Sequence, residues 1–534
     1  MKSKVAERIW ARDASLWKTD DASVKIINNS LGWLTVADEM LGVAGELGEF
    51  ANSIRVRGFQ HVMVCGMGGS SLCPEVLART FGRQEGFPEL LVLDSTDADV
   101  IAAFSERIDV ERCLFIIASK SGTTTEPNVF EKFWYEQVRT RRENAGDNFV
   151  AITDPGSPLV ETASELKFQQ TFLNQADIGG RYSALSYFGM VPAALMGLDV
   201  RRLLEGARNA AQLSDAAFEL GTVLGDSARA GRDKLTLVID PRLETLGLWI
   251  EQLIAESTGK EGKGILPVNG EMLGTPDNYG NDRLFVSISL GAVAEETQKK
   301  LERLAAAGHP VQYRQLTDLY DLGAEFFDWE FATAVAGWRI GINPFDQPNV
   351  QEAKDATKEL LSAFVRRGHL DERTTLAEDN SITVYGADDA PKAESIAAAL
   401  SSQLVSIKPG DYIGFLNFIE ETPAIDNIFQ DLRTYLRDKT HCAVTVGYGP
   451  RFLHSTGQLH KGGPDTGVFF QIIANDQVDF AIPGESYTFS ILKQAQAMGD
   501  FRALVKRGRR VIGIDLRNDT EAGLLHLSQL IRSS

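Results

Sequence analysis

The sequence predicts an α/β protein built on parallel sheets, and three observations carry that prediction. Short apolar runs at 62–65, 90–93, 114–118 and 149–152 alternate with helix-length segments such as 72–82 and 127–141, the rhythm of strands covered by crossover helices. The rhythm restarts near residue 234 and again after about 371. Turns rich in glycine and hydroxyls follow several of the runs, at the strand ends where such sheets bind ligands.

Taken in order, residues 1–50 read as a helical segment, with Val5, Ile9 and Leu16 and then Met40, Leu41 and Leu47 at roughly helical spacing. A first α/β unit is expected over 51–205 and a second over 206–365. The second has strand-like runs at 235–239, 283–289 and 311–316, a long apolar helix through 246–255, and another helix near 328–340. The two prolines of Asn343-Pro344-Phe345-Asp346-Gln347-Pro348 mark a turn. A third α/β segment, 371–534, carries runs at 381–385, 412–418, 443–447, 467–473 and 510–515. The charged stretch 366–380 is expected to be a linker.

Composition narrows the function. The 534 residues are too many for one core. A formal charge of −19 opposes non-specific nucleic-acid binding, which needs a basic face. No apolar stretch approaches the roughly 20 residues that span a bilayer, and the first residues lead into no signal-type segment, so a cytoplasmic location is expected. The four cysteines form no CxxC pair and read as reduced. The seven scattered histidines show no metal-ligand spacing, so neither a metal nor a cofactor is expected.

Chemistry concentrates in a few stretches. In Ala118-Ser119-Lys120-Ser121-Gly122-Thr123-Thr124-Thr125-Glu126 an apolar run breaks into hydroxyls and then opens a helix pattern. Ser and Thr are ordinary caps, but the hydroxyls of Ser119, Ser121, Thr123 and Thr124 exceed what capping needs. Free N–H groups at a helix start hold anions, so a phosphate is the expected ligand. In Val62-Met63-Val64-Cys65-Gly66-Met67-Gly68-Gly69-Ser70-Ser71 the glycines allow close backbone approach, and Ser70 is placed to bond a sugar hydroxyl or phosphate. This turn lacks the last glycine of a dinucleotide fingerprint, although Asp94 after the next run suits a ribose-binding carboxylate. Arg181, in Gly179-Gly180-Arg181-Tyr182-Ser183, supplies a cation, and Glu256, ending a largely apolar helix pattern, is a candidate general base.

GMGGSS and SKSGTT together resemble the sugar isomerase (SIS) domains that hold phosphosugars. With GGRYS, ESTGK and NPFDQPNVQEAK in the same order, the set resembles the glucose-6-phosphate isomerase family, whose patterns are GIGGS, SKT-x-TT, GGR[FY]S, ESNGK and FDQ-x-GVE-x-x-K. Cys73, Ser121 and Thr258 depart mildly from it. The resemblance implies two SIS-type sandwiches, with 371–534 as an added α/β segment. It implies reversible conversion of glucose 6-phosphate to fructose 6-phosphate by ring opening and a cis-enediolate. It further implies that Gly69, Ser70, Ser119, Lys120, Ser121, Thr124 and Gln252 contact the phosphosugar, Arg181 stabilises the charged intermediate, Glu256 is the base and Lys354 lies near the ring. The stretch His454-Ser455-Thr456-Gly457-Gln458-Leu459-His460-Lys461-Gly462-Gly463 is similar to the family's histidine loop, as in the isomerase half of transaldolase–isomerase fusions. On that likeness His460 is the ring-opening histidine, His454 its rival, and Lys461 a solvated loop charge; Lys493 is the rival of Lys354. Open alternatives are acceptance of mannose 6-phosphate and a non-catalytic phosphosugar sensor, which needs no Glu256. The partner expected is a small phosphosugar, neither nucleic acid nor membrane, with a homodimer compatible with the family.

Overall fold

In the computed structural model, which describes residues 2–533, three sheets account for the strands. The first contains β1 (His61–Gly66), β2 (Glu89–Leu93), β3 (Cys113–Ala118), β4 (Phe149–Thr153) and β5 (Gln170–Leu173), all parallel in the order β2-β1-β3-β4-β5. Every residue of β3 is buried, which is why the run 114–118 reads as uninterrupted apolar sequence: helices cover both faces of a central parallel strand. The second sheet is also parallel, with β6 (Lys234–Ile239), β7 (Leu266–Val268), β8 (Arg283–Leu290) and β9 (Val311–Leu316) ordered β7-β6-β8-β9.

The third sheet holds β10 (Thr374–Glu378), β11 (Thr383–Gly386), β12 (Tyr412–Phe418), β13 (Ala443–Tyr448), β14 (Gly467–Ile473) and β15 (Arg510–Asp515), ordered β10-β11-β15-β14-β12-β13. β12 to β15 run parallel, while β11 is antiparallel to both β10 and β15. The expected linker 366–380 is therefore partly an edge strand. β10 is half-exposed along its length, so no apolar alternation betrays it in the sequence.

The core of the first two sheets is continuous. Trp33, Tyr182, Trp249 and Trp329 are buried in a single apolar cluster that runs through the helix Leu322–Ile340. A second cluster joins the first sheet to the C-terminal segment, with Phe130 and Phe133 packed on Phe489. That contact, made by the helix Phe489–Lys506, brings the third sheet's loops over the first. No helix among the described residues is long and apolar enough to cross a membrane.

Candidate active site

The carboxyl ends of β1 and β3 build one wall. Gly68 adopts φ +56°, and a Cβ there would meet Gln252 Nε2 at 2.6 Å and the His454 carbonyl at 3.0 Å. At Gly69 a Cβ would lie 1.8 Å from the Gly180 carbonyl. The glycines of GMGGSS thus let the GGRYS turn, the ESTGK helix and the histidine segment close on one point. Ser70 is buried in this turn.

After β3 the hydroxyl loop is tied to itself. The Gly122 N–H donates to Ser119 Oγ (3.1 Å), and Ser119 Oγ donates to Thr124 Oγ1 (3.3 Å). The Thr123 N–H donates to Ser121 Oγ (3.2 Å). Thr124 precedes the helix Thr125–Arg139 in extended conformation, yet its side chain makes no cap bond. The N–H groups of Lys120, Ser121 and Thr124 meet no backbone acceptor among the described residues. These are the donors an anion would take at a helix start. The Lys120 ammonium points away, to Asp154 and the Ala176 carbonyl (3.0 Å), so only its backbone faces the loop's interior.

The helix Leu246–Thr258 carries Gln252, Glu256 and Ser257 on its buried side. Arg181 is 3% exposed, with Nη1 3.5 Å from Glu256 Oε1. Its remaining donors are fixed: Nε to Ser257 Oγ (2.7 Å), Nη1 to Gln347 Oε1 (2.9 Å), and Nη2 to the Pro344 (2.7 Å) and Asp346 (3.0 Å) carbonyls. NPFDQP therefore wraps the guanidinium. Lys260 bonds the same loop at the Asn343 carbonyl (2.9 Å) and Asp346 Oδ1 (2.7 Å). Burial, then the Arg181 charge, pull Lys260 down to about 8 against the pull of Asp346. Gln252 Nε2 donates to Glu256 Oε2 (3.2 Å) and to the His454 carbonyl (2.8 Å). Its Oε1 is buried with no donor among the described residues, an acceptor open to a ligand hydroxyl.

The histidine segment is not the open loop its sequence suggests. Residues Arg451–His454 form a 3₁₀ turn and Gly457–Gly462 a short helix. Arg451 clamps the turn onto the first sheet through a bidentate pair with Asp94, Nε and Nη2 each at 2.9 Å. Asp94 is thereby occupied, and the ribose role considered for it loses its free carboxylate. The turn aims His454 Nε2 at Glu126 Oε1, 3.1 Å away. Burial pushes Glu126 up, but the His454 charge and hydrogen bond and the Lys354 charge outweigh it and leave the carboxyl below its ordinary range.

His454 lines a cavity of about 130 Å³ shared with Ser121, Thr123, Thr124, Glu126 and Lys354. Lys354 stands exposed at its rim, on the helix Val350–Arg367. His460 goes elsewhere. It is 2% exposed, its Nδ1 lies 2.8 Å from the Tyr412 hydroxyl, and its ring packs on Tyr412 and Phe469. Burial, with the Lys461 and Arg509 charges, holds it well below the ordinary imidazole range. The structure brings His454, and not His460, to the cavity. Lys461 also departs from expectation: it is buried, lines the cavity and pairs with Asp500. Lys493 is locked between Asp97 (2.8 Å) and Asp476, outside the cavity.

Among the described residues, Asp97, Asp99 and Asp476 are the acids close enough to share a cation, within 4.8 Å of one another. Lys493 already lies against Asp97 and Asp476, and Asp99 accepts from the Gln477 and Val478 N–H groups. No local pattern marks Gln347 as a partner of Arg181, or Gln496 and Lys461 as cavity residues. Glu126 stood in plain view beside the hydroxyls, a carboxylate in a helix's first turn, without an assigned partner.

Residues 44–265, which carry the first four motifs, match the family model described as phosphoglucose isomerase. Over that stretch the chain is similar to the phosphoglucose isomerases. A glucose-6-phosphate isomerase of Rubrobacter xylanophilus is 28% identical over 58% of this chain and 84% of its own length. One from Heliobacterium modesticaldum is likewise 28% identical, over 60% of this chain and 85% of its own. Among solved structures, a hypothetical protein of Thermus thermophilus superposes with a TM-score of 0.59 at 22% identity, covering 67% of this chain and 94% of its own. That likeness shows the fold. The phosphoglucose isomerase match ends before NPFDQP and the histidine segment, so the roles of those parts rest on geometry.

Proposed function

We propose that this chain interconverts glucose 6-phosphate and fructose 6-phosphate. The observation that carries the reading is the buried Glu256–Arg181 pair, joined through Gln252 to the His454 segment and so to the hydroxyl-lined cavity. A sensor that only binds phosphosugar has no use for a carboxylate held beside a fixed guanidinium.

In this reading the loop 119–124 holds the phosphate with backbone N–H groups and hydroxyls. The chain's net charge repels an anion, so binding depends on these local dipoles and the Lys354 charge. His454, oriented by Glu126, and Lys354 open the ring by moving a proton between the ring oxygen and the anomeric hydroxyl. Glu256 then takes the proton from C2 and returns it to C1. Arg181 stabilises the cis-enediolate, its geometry set in advance by Ser257, Gln347 and two carbonyls. His454 and Glu126 meet within one chain, and we read the protein as a cytoplasmic enzyme.

The test is formation of fructose 6-phosphate from glucose 6-phosphate by the full chain, with glucose as the control. Conversion of the phosphorylated sugar alone supports the reading. No conversion of either, or equal efficiency on both, overturns it.

A further inference from the structure

The helix Phe489–Lys506 carries a buried polar stripe. Lys493, Gln496 and Asp500 lie three and four residues apart, hence on one face, at 2%, 3% and 0% exposure. Buried polar side chains are costly unless each is paired, and each of these is. The outer two join charges: Lys493 binds Asp97, and Asp500 binds Lys461. The middle one is different, because it touches the carboxylate that faces His454. Gln496 Nε2 donates to Glu126 Oε1 at 2.6 Å, on the oxygen that faces His454 Nε2. Its own Oε1 accepts from the Thr96 hydroxyl at 2.6 Å.

We propose that Gln496 is a positioning residue for ring opening, acting through the Glu126–His454 pair. The inference rests on the proposed isomerase reading and adds to it a residue that acts through the carboxylate it holds. The Thr96 hydroxyl holds the amide carbonyl, so the NH₂ group must face the carboxylate; the flipped amide would set an oxygen against Glu126. A donor fixed in this way favours the ionised carboxylate. The ionised carboxylate, in turn, accepts from Nε2–H of His454 and leaves Nδ1 as the nitrogen free for the sugar. The segment beyond the family match therefore supplies both the histidine and the group that orients its partner. Removing the donor raises the proton affinity of the Glu126 carboxylate.

The experiment uses the full chain and reads kcat against pH with glucose 6-phosphate. Gln496→Leu keeps the shape and removes both bonds; it should lower kcat about tenfold, leave KM within twofold, and move the acid limb to higher pH. Gln496→Glu gives a readout that packing alone does not. Its protonated acid can still donate to Glu126 while accepting from Thr96, whereas its anion repels Glu126. Activity relative to the parent should therefore recover as pH falls and decline as it rises. Thr96→Val, a milder change of nearly the same shape, should shift the acid limb in the same direction by less, which keeps the test open if Gln496→Leu does not fold. Enediolate chemistry at Glu256 should be spared: C1–C2 proton exchange in substrate supplied as the open chain stays within twofold of the parent. An acid limb unmoved in a folded Gln496→Leu or Thr96→Val protein, or a Gln496→Glu profile parallel to the parent's, overturns the proposal. A parent that fails to isomerise glucose 6-phosphate overturns the underlying reading instead. In that case the Gln496 claim is still decided by the carbon resonance of the Glu126 carboxyl, whose titration should move to higher pH in Gln496→Leu, and an unmoved titration refutes it.

Discussion

Replacing each of the two late histidines should have opposite consequences for activity and stability. His454 sits in the cavity with one strong contact, Nε2 to the buried Glu126 at 3.1 Å, and its carbonyl bond to Gln252 survives any side-chain change. His454→Ala should therefore leave the fold nearly intact and lower turnover of the cyclic sugar by about 10²–10⁴-fold, the usual contribution of general acid–base catalysis. His460 is packed among Tyr412, Phe452 and Phe469, with ring centroids 5.8, 6.5 and 5.0 Å away. Truncating such a side chain costs about 2–5 kcal/mol through lost contacts and the cavity left behind. The Tyr412 hydroxyl, left without its 2.8 Å partner, adds about 1–3 kcal/mol. His460→Phe restores most of the volume and should lose only that last part while keeping turnover within a few-fold. Urea midpoints and steady-state rates on both variants decide the matter. A stable, soluble His460→Phe protein with turnover down a hundredfold, beside a nearly normal His454→Ala protein, would return the ring-opening role to His460 and refute the geometric argument.

Other outcomes follow from the same structure. Ser119→Ala and Thr124→Ala should each weaken phosphosugar binding by about 0.5–3 kcal/mol, the range for hydrogen bonds including those to charged groups, as read by calorimetry with fructose 6-phosphate; unchanged affinity in both would remove the hydroxyl loop from the phosphate site. Glu330 is fully buried, and burial holds its carboxyl well above the ordinary range despite the Ala184 N–H. Its folded form thus prefers the proton, so stability falls as pH rises above the unfolded carboxylate range of about 4.3; the gain in melting temperature from Glu330→Gln should be larger at pH 8 than at pH 5, and an equal gain at both would contradict the assignment. Lys260, at about 8, braces the loop that carries Gln347 to Arg181. Turnover should therefore decline above pH 8 as that proton leaves, and Lys260→Arg should flatten the decline, which a pH series on the two proteins will show.

The sequence carried much of this, for identifiable reasons. β1 to β4 were legible because strands buried on both faces are written as unbroken apolar runs, as Val62–Cys65 and Leu114–Ala118 show. β7 spans three residues with a central proline, and β10 lies in charged sequence at a sheet edge, so neither has a periodic signature. The loops GMGGSS, SKSGTT and GGRYS were legible because backbone geometry demands glycine and hydroxyls there. Which histidine faces the cavity was not. His454 ends a 3₁₀ turn and His460 lies in the short helix that follows, and the direction of each ring is set by Asp94, Gln252 and Tyr412, far away in the chain. The burial of Lys461 depends on Asp500, and the role of Gln496 on Thr96 and Glu126. Tertiary pairings of this kind leave no local pattern.

The central claim is that Glu256 carries a proton between C2 and C1 beside Arg181. It is tested most directly by following hydrogen exchange at C2 of glucose 6-phosphate in deuterated water, with a metal chelator present, for the parent and for Glu256→Gln. The account predicts steady deuterium entry with the parent and a rate lower by about 10²–10⁴-fold in the variant, with phosphosugar affinity retained. Exchange at near-parental rate in Glu256→Gln would contradict it.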